Sequence, residues 1–177
     1  ITLIAALAAA VLFGLSALYT ATTGVPYFID SEIPTAVFLG LHLLVTDPST
    51  SPRTPIGKTI FGLLYGSTVF GLYAVLGGFG VPTFYDKLLS VPLLNLSVPA
   101  IDRLVQTLTI RPTFGRFALA LARPTANLTH IVVWVIFFTL MAVTGATDGR
   151  HRGDSVPFWE DACDNGRRKA CERLLQI

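Results

Sequence analysis

The chain has 177 residues, of which 52% are hydrophobic and 14% are charged, and its mean hydropathy is +0.62. Soluble domains carry about 25% charged residues, so this composition excludes an ordinary soluble domain and indicates a membrane protein. The net charge of +2 is too small for the strongly basic surface with which proteins bind nucleic acids, so we expect no nucleic-acid partner.

Five apolar runs predict an all-α polytopic bundle. A helix needs about 20 residues to cross the hydrocarbon of a bilayer. The run over 33–45 is about 10 Å too short by the same measure, and Ser31 with Pro34 suits the start of a short helix. We therefore predict about five membrane helices, one of them short or re-entrant, followed by a small helical tail; they cover 1–20, 33–45, 59–79, 84–103 and 126–147.

Basic residues concentrate in two loops that this order of helices places on one side of the membrane. The loops 46–58 and 103–125 hold six basic residues, whereas the opposite short loops hold one, Lys87. The six are Arg53, Lys58, Arg103, Arg111, Arg116 and Arg123. Basic loops stay in the cytoplasm, so we predict a bacterial inner-membrane protein with a periplasmic tail over 148–177. Residues 104–125 suit a helix on the cytoplasmic surface, or a plain basic loop.

The segment between the second and third runs is polar where its surroundings are apolar. It reads Thr46-Asp-Pro-Ser-Thr-Ser-Pro-Arg-Thr-Pro-Ile-Gly-Lys58, and its prolines block a helix. Such a break persists only inside protein, beside water or at the membrane surface, and in carriers it often lines the ligand. We predict a ligand-lining element or, alternatively, a tight connector; the candidate residues are Thr46, Asp47, Ser51, Thr54 and Lys58.

Two polar residues in the fourth run are further candidates. Polar side chains in membrane helices are costly and usually face the bundle interior. Asn95 lies deep in the run and needs a partner from another helix or from a ligand. Asp102 lies near the end of the run, where it either faces the interior or marks the membrane interface.

We explain one glycine motif and the histidines of the apolar runs by structural roles. Gly62-Leu-Leu-Tyr-Gly66 is a small-xxx-small motif, which predicts close helix packing or, alternatively, the close approach of a flat ring. His42 and His130 have no Cys, Asp or Glu at the spacing of metal ligands, so we interpret both as structural. No nucleophile or general base stands out, and we assign no catalytic or metal-binding residue.

Cys163 and Cys171 are the only cysteines, eight residues apart. In one continuous helix their Cα atoms would lie about 12 Å apart, beyond the limit of about 7 Å for a disulfide. Asn165-Gly166 between them can turn the chain, so a bridge requires a helical hairpin. The alternative is two reduced cysteines on one amphipathic helix.

The polar segment 46–58 resembles the motif T-D-P-V-S/T-S/T-P-x-T-P-x-G-K of a family of membrane redox subunits. They are the B subunit of the sodium-pumping NADH:quinone oxidoreductase and the D subunit of the Rnf electron-transport complex. Downstream, Leu93-Leu-Asn-Leu-Ser-Val-Pro-Ala-Ile-Asp102 and Arg111-Pro-Thr-Phe-Gly115 resemble their closing helix and its basic end. The resemblance covers about residues 35–116 and only the C-terminal part of that fold.

The resemblance implies a helix bundle built as two related halves, with riboflavin between helices and FMN carried by the threonine of an S-G-A-T motif. It further implies that the segment 46–58, with Asn95, borders a non-covalent flavin (riboflavin or FMN) or a quinone. Asp102 matches an acidic position linked to cation passage. S-G-A-T does not occur in this sequence, and we expect the FMN-carrying threonine to lie upstream or to have been lost.

The end of the chain resembles a different class of protein. The stretch from Phe158 to Leu175 is similar to the start of cysteine-rich αα-hairpin repeats, in which cysteines eight apart are bridged, and such repeats bind partners. We thus divide the chain into a bundle over 1–125 with a surface linker at 104–125, an added membrane helix over 126–147 and a tail over 148–177. Both ends look like edges of a longer chain.

Two functions follow from these features. The first is an accessory, structural membrane subunit of a respiratory or photosynthetic electron-transfer complex, with no catalysis by this chain alone. The alternative is a flavin-binding redox subunit that passes electrons toward quinone, coupled to ion translocation. In either case the expected partners are other membrane subunits, lipid, and a periplasmic protein held by the tail.

Overall fold

The computed structural model describes residues 2–29, 50–82, 85–109, 126–143 and 151–175. Within these ranges the regular structure is helical throughout, which confirms the predicted all-α class. Four longer helices precede a short tail. They are α1 (Thr2–Thr23), α2 (Pro55–Gly78), α3 (Tyr85–Thr109) and α4 (Ala126–Val143), and the tail holds a 3₁₀ turn (Arg152–Asp154), α5 (Val156–Asp164) and α6 (Arg168–Leu174).

Three helices of the described part are long and apolar enough to cross a membrane: Ile4–Thr23, Pro55–Gly78 and Lys87–Leu108. In the most apolar 18-residue stretch of each helix at most 39% of the residues are buried in the protein, so many of the others can contact lipid or neighbouring subunits. The chain is therefore a multi-pass membrane protein. In α4 the apolar stretch Ile131–Val143 is shorter, so the added span over 126–147 stays a prediction.

The small-xxx-small motif brings α1 and α2 together as parallel helices. A Cβ atom placed on Gly62 would lie 2.7 Å from the Ile4 carbonyl oxygen, and one on Gly66 would lie 2.7 Å from the Ala8 carbonyl oxygen. The contacting residue numbers rise together along both helices, so the helices run in the same direction. The backbone of α1 thus occupies the smooth surface of α2, which supports helix packing over the approach of a ring.

Helix α3 packs on α2 in the opposite direction. The carboxylate of Asp102, near the end of α3, lies beside Gly57 in the first turn of α2, while Ser90, near the start of α3, lies beside Tyr65. The core between the helices is made of buried apolar side chains, among them Phe61, Tyr65, Val69, Val91, Leu94, Ile101 and Val105. The end of the polar segment and the end of α3 therefore share one end of the bundle.

Two predicted boundaries are wrong by several residues. Helix α2 begins at Pro55 rather than at 59, because the Thr54 side chain accepts a hydrogen bond from the Gly57 N–H at 3.0 Å and caps the helix. A proline in the first helical turn loses no helical hydrogen bond. Helix α3 continues to Thr109 with Pro92 and Pro99 inside it, six residues beyond the predicted end of the fourth run at 103; a helix over 104–125 was one of the two predictions for the linker. The half-length run 33–45 and the linker residues 110–125 lie outside the described residues.

The tail packs on the opposite end of the bundle, where α1 and α2 end. Arg167 donates a hydrogen bond to the Gly24 carbonyl oxygen, and His151 Nδ1 lies 2.8 Å from the Ile29 carbonyl oxygen. Trp159 is fully buried, and its Nε1 donates to the Gly153 carbonyl oxygen at 2.8 Å. A small second core joins Trp159, Ala162 and Ala170 to Val25, beside Tyr19.

Helices α5 and α6 form the hairpin that a bridge between the two cysteines requires. The chain turns at Gly166, whose φ is +79°, a backbone conformation that glycine adopts without steric cost. The structure joins Cys163 to Cys171 by a disulfide, with their Cα atoms 4.9 Å apart. The bridge therefore fixes the two short helices against each other.

Candidate functional site

The predicted site residues lie at the end of the bundle opposite the tail. Thr46 and Asp47 are outside the described residues. Ser51 is buried at 8% exposure, and Thr54 caps α2. We call Thr50, Ser51, Thr54, Gly57 and Asp102 the loop-end site. Lys58 follows directly, its N–H donating to the Thr54 carbonyl oxygen at 2.9 Å.

Asp102 gives the loop-end site its charge. Its Oδ1 atom lies 3.5 Å from the position of a Cβ on Gly57, so the carboxylate lies against the first turn of α2. The N-terminal end of a helix carries partial positive charge and stabilises an anion. Oδ1 is buried and has no hydrogen-bond partner within the described part of the chain. The Oδ1 atom of Asp102 can therefore still accept a hydrogen bond or bind a cation.

Asn95 does not join Asp102 at the loop-end site. It lies seven residues earlier on α3, about 10 Å away along the helix axis and on nearly the same face. Its Oδ1 atom, like the Thr50 Oγ1 atom, is buried without a hydrogen-bond partner among the described residues. Buried polar atoms almost always have partners. Their partners are therefore residues outside the described ranges, water, or a ligand.

These acceptors match the hydrogen-bond donors of a flavin. A carboxylate and an amide oxygen accept hydrogen bonds, which the hydroxyl groups of a ribityl chain and a ring N–H group donate. Asp102, Asn95 and Thr50 are the residues that would hold such a group. His42 and the side chain of His130 lie outside the described part, so their structural role stays a prediction.

A second feature, at the tail end, was not predicted from the sequence. A cavity of about 290 Å³ opens where α1 and α2 end beneath α6. We call it the tail-end cavity; its lining comprises Tyr19, Tyr27, Tyr73, Ala74, Gly77, Gly78, Lys169, Glu172 and Arg173. The available signal was the set of tyrosines at the ends of apolar runs, since tyrosine is enriched at membrane interfaces.

Hydrogen bonds hold two of the tyrosines in the tail-end cavity. The Tyr27 hydroxyl donates to the Phe70 carbonyl oxygen at 2.6 Å, and the Ile29 N–H donates to the Tyr73 hydroxyl at 3.4 Å. Burial raises the pKa of Tyr27 above its ordinary range, so its hydroxyl stays neutral. Both rings are thus held in fixed positions in the wall of the cavity.

The comparisons with known proteins agree on one family. The NQR2, RnfD, RnfE family matches residues 1–111. The D subunit of the ion-translocating oxidoreductase complex is 38% identical over 71 residues, both in Yersinia pestis and in Yersinia pseudotuberculosis. Each match covers 40% of this chain and 19% of the relative, so the chain spans about a fifth of the length of these curated relatives. No solved structure matches the chain.

The family match covers more than half of the chain and includes α1, α2 and α3 together with the loop-end site. It agrees with the resemblance of the segment 46–58 and of the closing helix. The chain belongs to the NQR2, RnfD, RnfE family.

Proposed function

We propose that this chain is a membrane subunit of an ion-translocating oxidoreductase complex and that its own role is structural. The observation that carries the proposal is the combination of a family bundle over 1–111 with a disulfide-bridged hairpin packed on its end. The relatives in Yersinia are named as subunits of such a complex. A hairpin held to the bundle by the bond from Arg167 to Gly24 and by the small core around Val25 offers a fixed surface to another protein.

The exposed surface supports a place inside a larger assembly. Large apolar side chains are exposed along α3 and α4, including Leu96 at 80% and Leu128 at 66%. In a membrane such surfaces contact lipid or other subunits. In the tail, exposed charged residues surround the small core, which suits a polar contact with a partner in the periplasm.

The experiment that tests this role is a flavin measurement on the separated subunit. The native complex is purified in mild detergent, and absorption and flavin fluorescence of this subunit are recorded before and after acid extraction. The structural role predicts no flavin in a subunit that stays bound to its partners. Flavin at about one per chain would contradict it and favour the alternative.

The alternative is a flavin-binding redox subunit, and the buried acceptors favour it. Asn95, Thr50 and Asp102 each carry a buried oxygen without a hydrogen-bond partner in the described part. A non-covalent flavin would supply electron transfer there, with its ribityl hydroxyl and ring N–H groups donating to these oxygens; a quinone would donate to them in its reduced, quinol form. The negative charge of the Asp102 carboxylate would attract the cation that the complex moves.

We also propose the orientation of the chain. The loop-end site, with Arg53 and Lys58, and the tail lie at opposite ends of the bundle. Basic loops favour the cytoplasm, and disulfides persist in the oxidising periplasm. Both arguments give the same direction, with the loop-end site inside and the tail outside the inner membrane of a bacterium.

A further inference from the structure

The tail-end cavity has the size of a small polar head group. Its volume of about 290 Å³ is at the lower limit of ligand pockets, about 300–1,000 Å³. The loop-end site, which the family resemblance concerns, lies at the other end of α2. The tail-end cavity is therefore a separate feature.

The floor of the cavity is bare helix backbone. A Cβ on Gly77 or on Gly78 would meet nothing within 4 Å. The walls are the rings of Tyr19, Tyr27 and Tyr73. No atom fills the space beside these two glycines, and the tyrosines line its sides. A bound group can therefore reach the backbone of α2.

The charges of the lining favour an anion. Lys169 and Arg173 are cationic and Glu172 is the one acid among the lining residues. The Arg173 guanidinium carbon lies 5.6 Å from the centre of the Tyr73 ring. Lys169 Nζ lies 2.7 Å from Glu172 Oε2, and this hydrogen bond holds the pKa of Glu172 below its ordinary value. The carboxylate stays ionised and competes with any other anion for Lys169.

The position of the cavity points to a lipid as the source of that anion. It lies where two membrane-crossing helices end, at Thr23 and Gly78, which is the level of lipid head groups. Below it, Ser67, Gly71, Ala74 and Gly78 form an exposed strip of small residues on one face of α2. The helix rises about 16 Å over this strip, enough for most of an acyl chain.

We propose that the tail-end cavity binds the phosphate of an anionic phospholipid. Arg173 and Lys169 contact the phosphate, and the tyrosine walls enclose the glycerol. One acyl chain lies along the small-residue strip of α2. The hairpin α5–α6 and the bundle both contribute to this site, so the bound lipid also joins the tail to the membrane helices.

The test measures lipid binding by the full chain within its purified complex. The complex is delipidated in detergent and exposed to phosphatidylglycerol or to phosphatidylcholine, and bound lipid on this subunit is counted by native mass spectrometry. Each cation near a lipid phosphate contributes about a fivefold preference for the anionic lipid. We expect wild type to prefer phosphatidylglycerol and Arg173→Gln to lose about fivefold of that preference.

Two variants separate this site from general surface charge. Arg152→Gln removes the same charge from a tail residue that is exposed and outside the lining, so it should keep the preference. Glu172→Gln frees Lys169 and should raise binding of the anionic lipid, a result that a damaged fold would not give. A third variant, Gly78→Leu, fills the floor and should lower binding of phosphatidylglycerol without changing charge.

Three results of this lipid-binding measurement would overturn the proposal. They are equal binding of the two lipids by wild type, equal losses in Arg152→Gln and Arg173→Gln, or no gain in Glu172→Gln. A competition arm with inorganic phosphate distinguishes the source of the anion. If millimolar phosphate replaces the lipid completely and no lipid preference remains, the site binds free phosphate and the lipid assignment is wrong.

Discussion

The guanidinium group of Arg167 donates a hydrogen bond to the carbonyl oxygen of Gly24, a residue 143 positions earlier in the chain. Gly24 directly follows the last residue of α1, and Arg167 lies between the two helices of the tail hairpin. Together with the contact between His151 and Ile29, this bond ties the tail to the end of the first membrane helix. The tail and bundle therefore form one structural unit.

Gly24→Ala should release the tail from the bundle. Gly24 has a φ of +73°, and a Cβ there would lie 2.9 Å from the Arg167 guanidinium carbon. A left-handed backbone costs a residue with a Cβ about 1–2 kcal/mol, and the contact is lost as well. We expect faster proteolytic cleavage of the tail in the folded complex. Gly80→Ala is the control, because φ is +69° there and the Cβ would meet nothing within 4 Å; equal cleavage of both variants would contradict the role of the contact.

Gly66→Ala and Gly71→Ala should change stability in opposite directions. A methyl group on Gly66 would lie 2.7 Å from the Ala8 carbonyl oxygen, whereas one on Gly71 would meet nothing. Overpacking costs about 1–3 kcal/mol, and removing a glycine from an open helix position gains about 0.5–1 kcal/mol. Thermal unfolding of the detergent-purified protein measures both. A Gly66→Ala variant as stable as wild type would show that α1 does not pack here.

Part of this architecture follows from the sequence, because membrane helices are specified locally. An apolar run of about 20 residues predicts a span without reference to the rest of the chain, and α1, α2 and α3 were found in this way. The motif at Gly62 and Gly66 predicted close packing, yet it does not name the partner helix. The start of α2 was missed because a proline can equally end a loop or occupy the first helical turn.

The sites illustrate the same limit. Asp102 and Gly57 were both visible as parts of family motifs, but only the antiparallel packing of α2 and α3 brings them together. The tail-end cavity combines Tyr19, Tyr73 and Arg173, which are far apart in the sequence. No periodic pattern connects residues at such separations, so contacts of this kind need the folded structure.

Removing the disulfide should loosen the hairpin but leave the bundle intact. Cys163 and Cys171 close a loop of about nine residues, for which chain entropy gives about 2.6 kcal/mol of stabilisation. We expect Cys163→Ser with Cys171→Ser to expose Trp159, which is buried in the small core of the tail. Its fluorescence, recorded in a Trp134→Phe background, should shift to the red. Reduction of the Trp134→Phe protein with its disulfide intact should reproduce the shift, and an unchanged spectrum in both cases would show that packing alone holds the hairpin.

The proposed orientation predicts which residues a membrane-impermeant maleimide can reach. Arg53, beside the loop-end site, and Glu160, in helix α5 of the tail, are both exposed. They lie at opposite ends of the protein. The native cysteines are bridged and do not compete. In intact spheroplasts Glu160→Cys should be labelled, and Arg53→Cys should be labelled only after permeabilisation. The reverse pattern would invert the orientation, and labelling of both from outside would contradict the placement of the two ends.

Asp102→Asn decides between the structural role and the redox alternative. The carboxylate lies against the first turn of α2, where loss of its charge costs about 0.3–1 kcal/mol of interaction with the helix end. The structural role therefore predicts an assembled complex with nearly unchanged electron transfer and a slightly lower unfolding temperature. Asp154→Asn, at the tail end, is the matched control.

The redox alternative predicts a different outcome for the same variants. If Asp102 accepts the transported cation, Asp102→Asn should lower ion-coupled electron transfer at least tenfold, about 1.4 kcal/mol, and Lys58→Ala should also lower it, while the complex stays assembled. Turnover is compared with subunit content in each preparation, since a loss of both would reflect disassembly. A tenfold loss with full assembly would place the chemistry of the complex at the loop-end site and overturn the structural role.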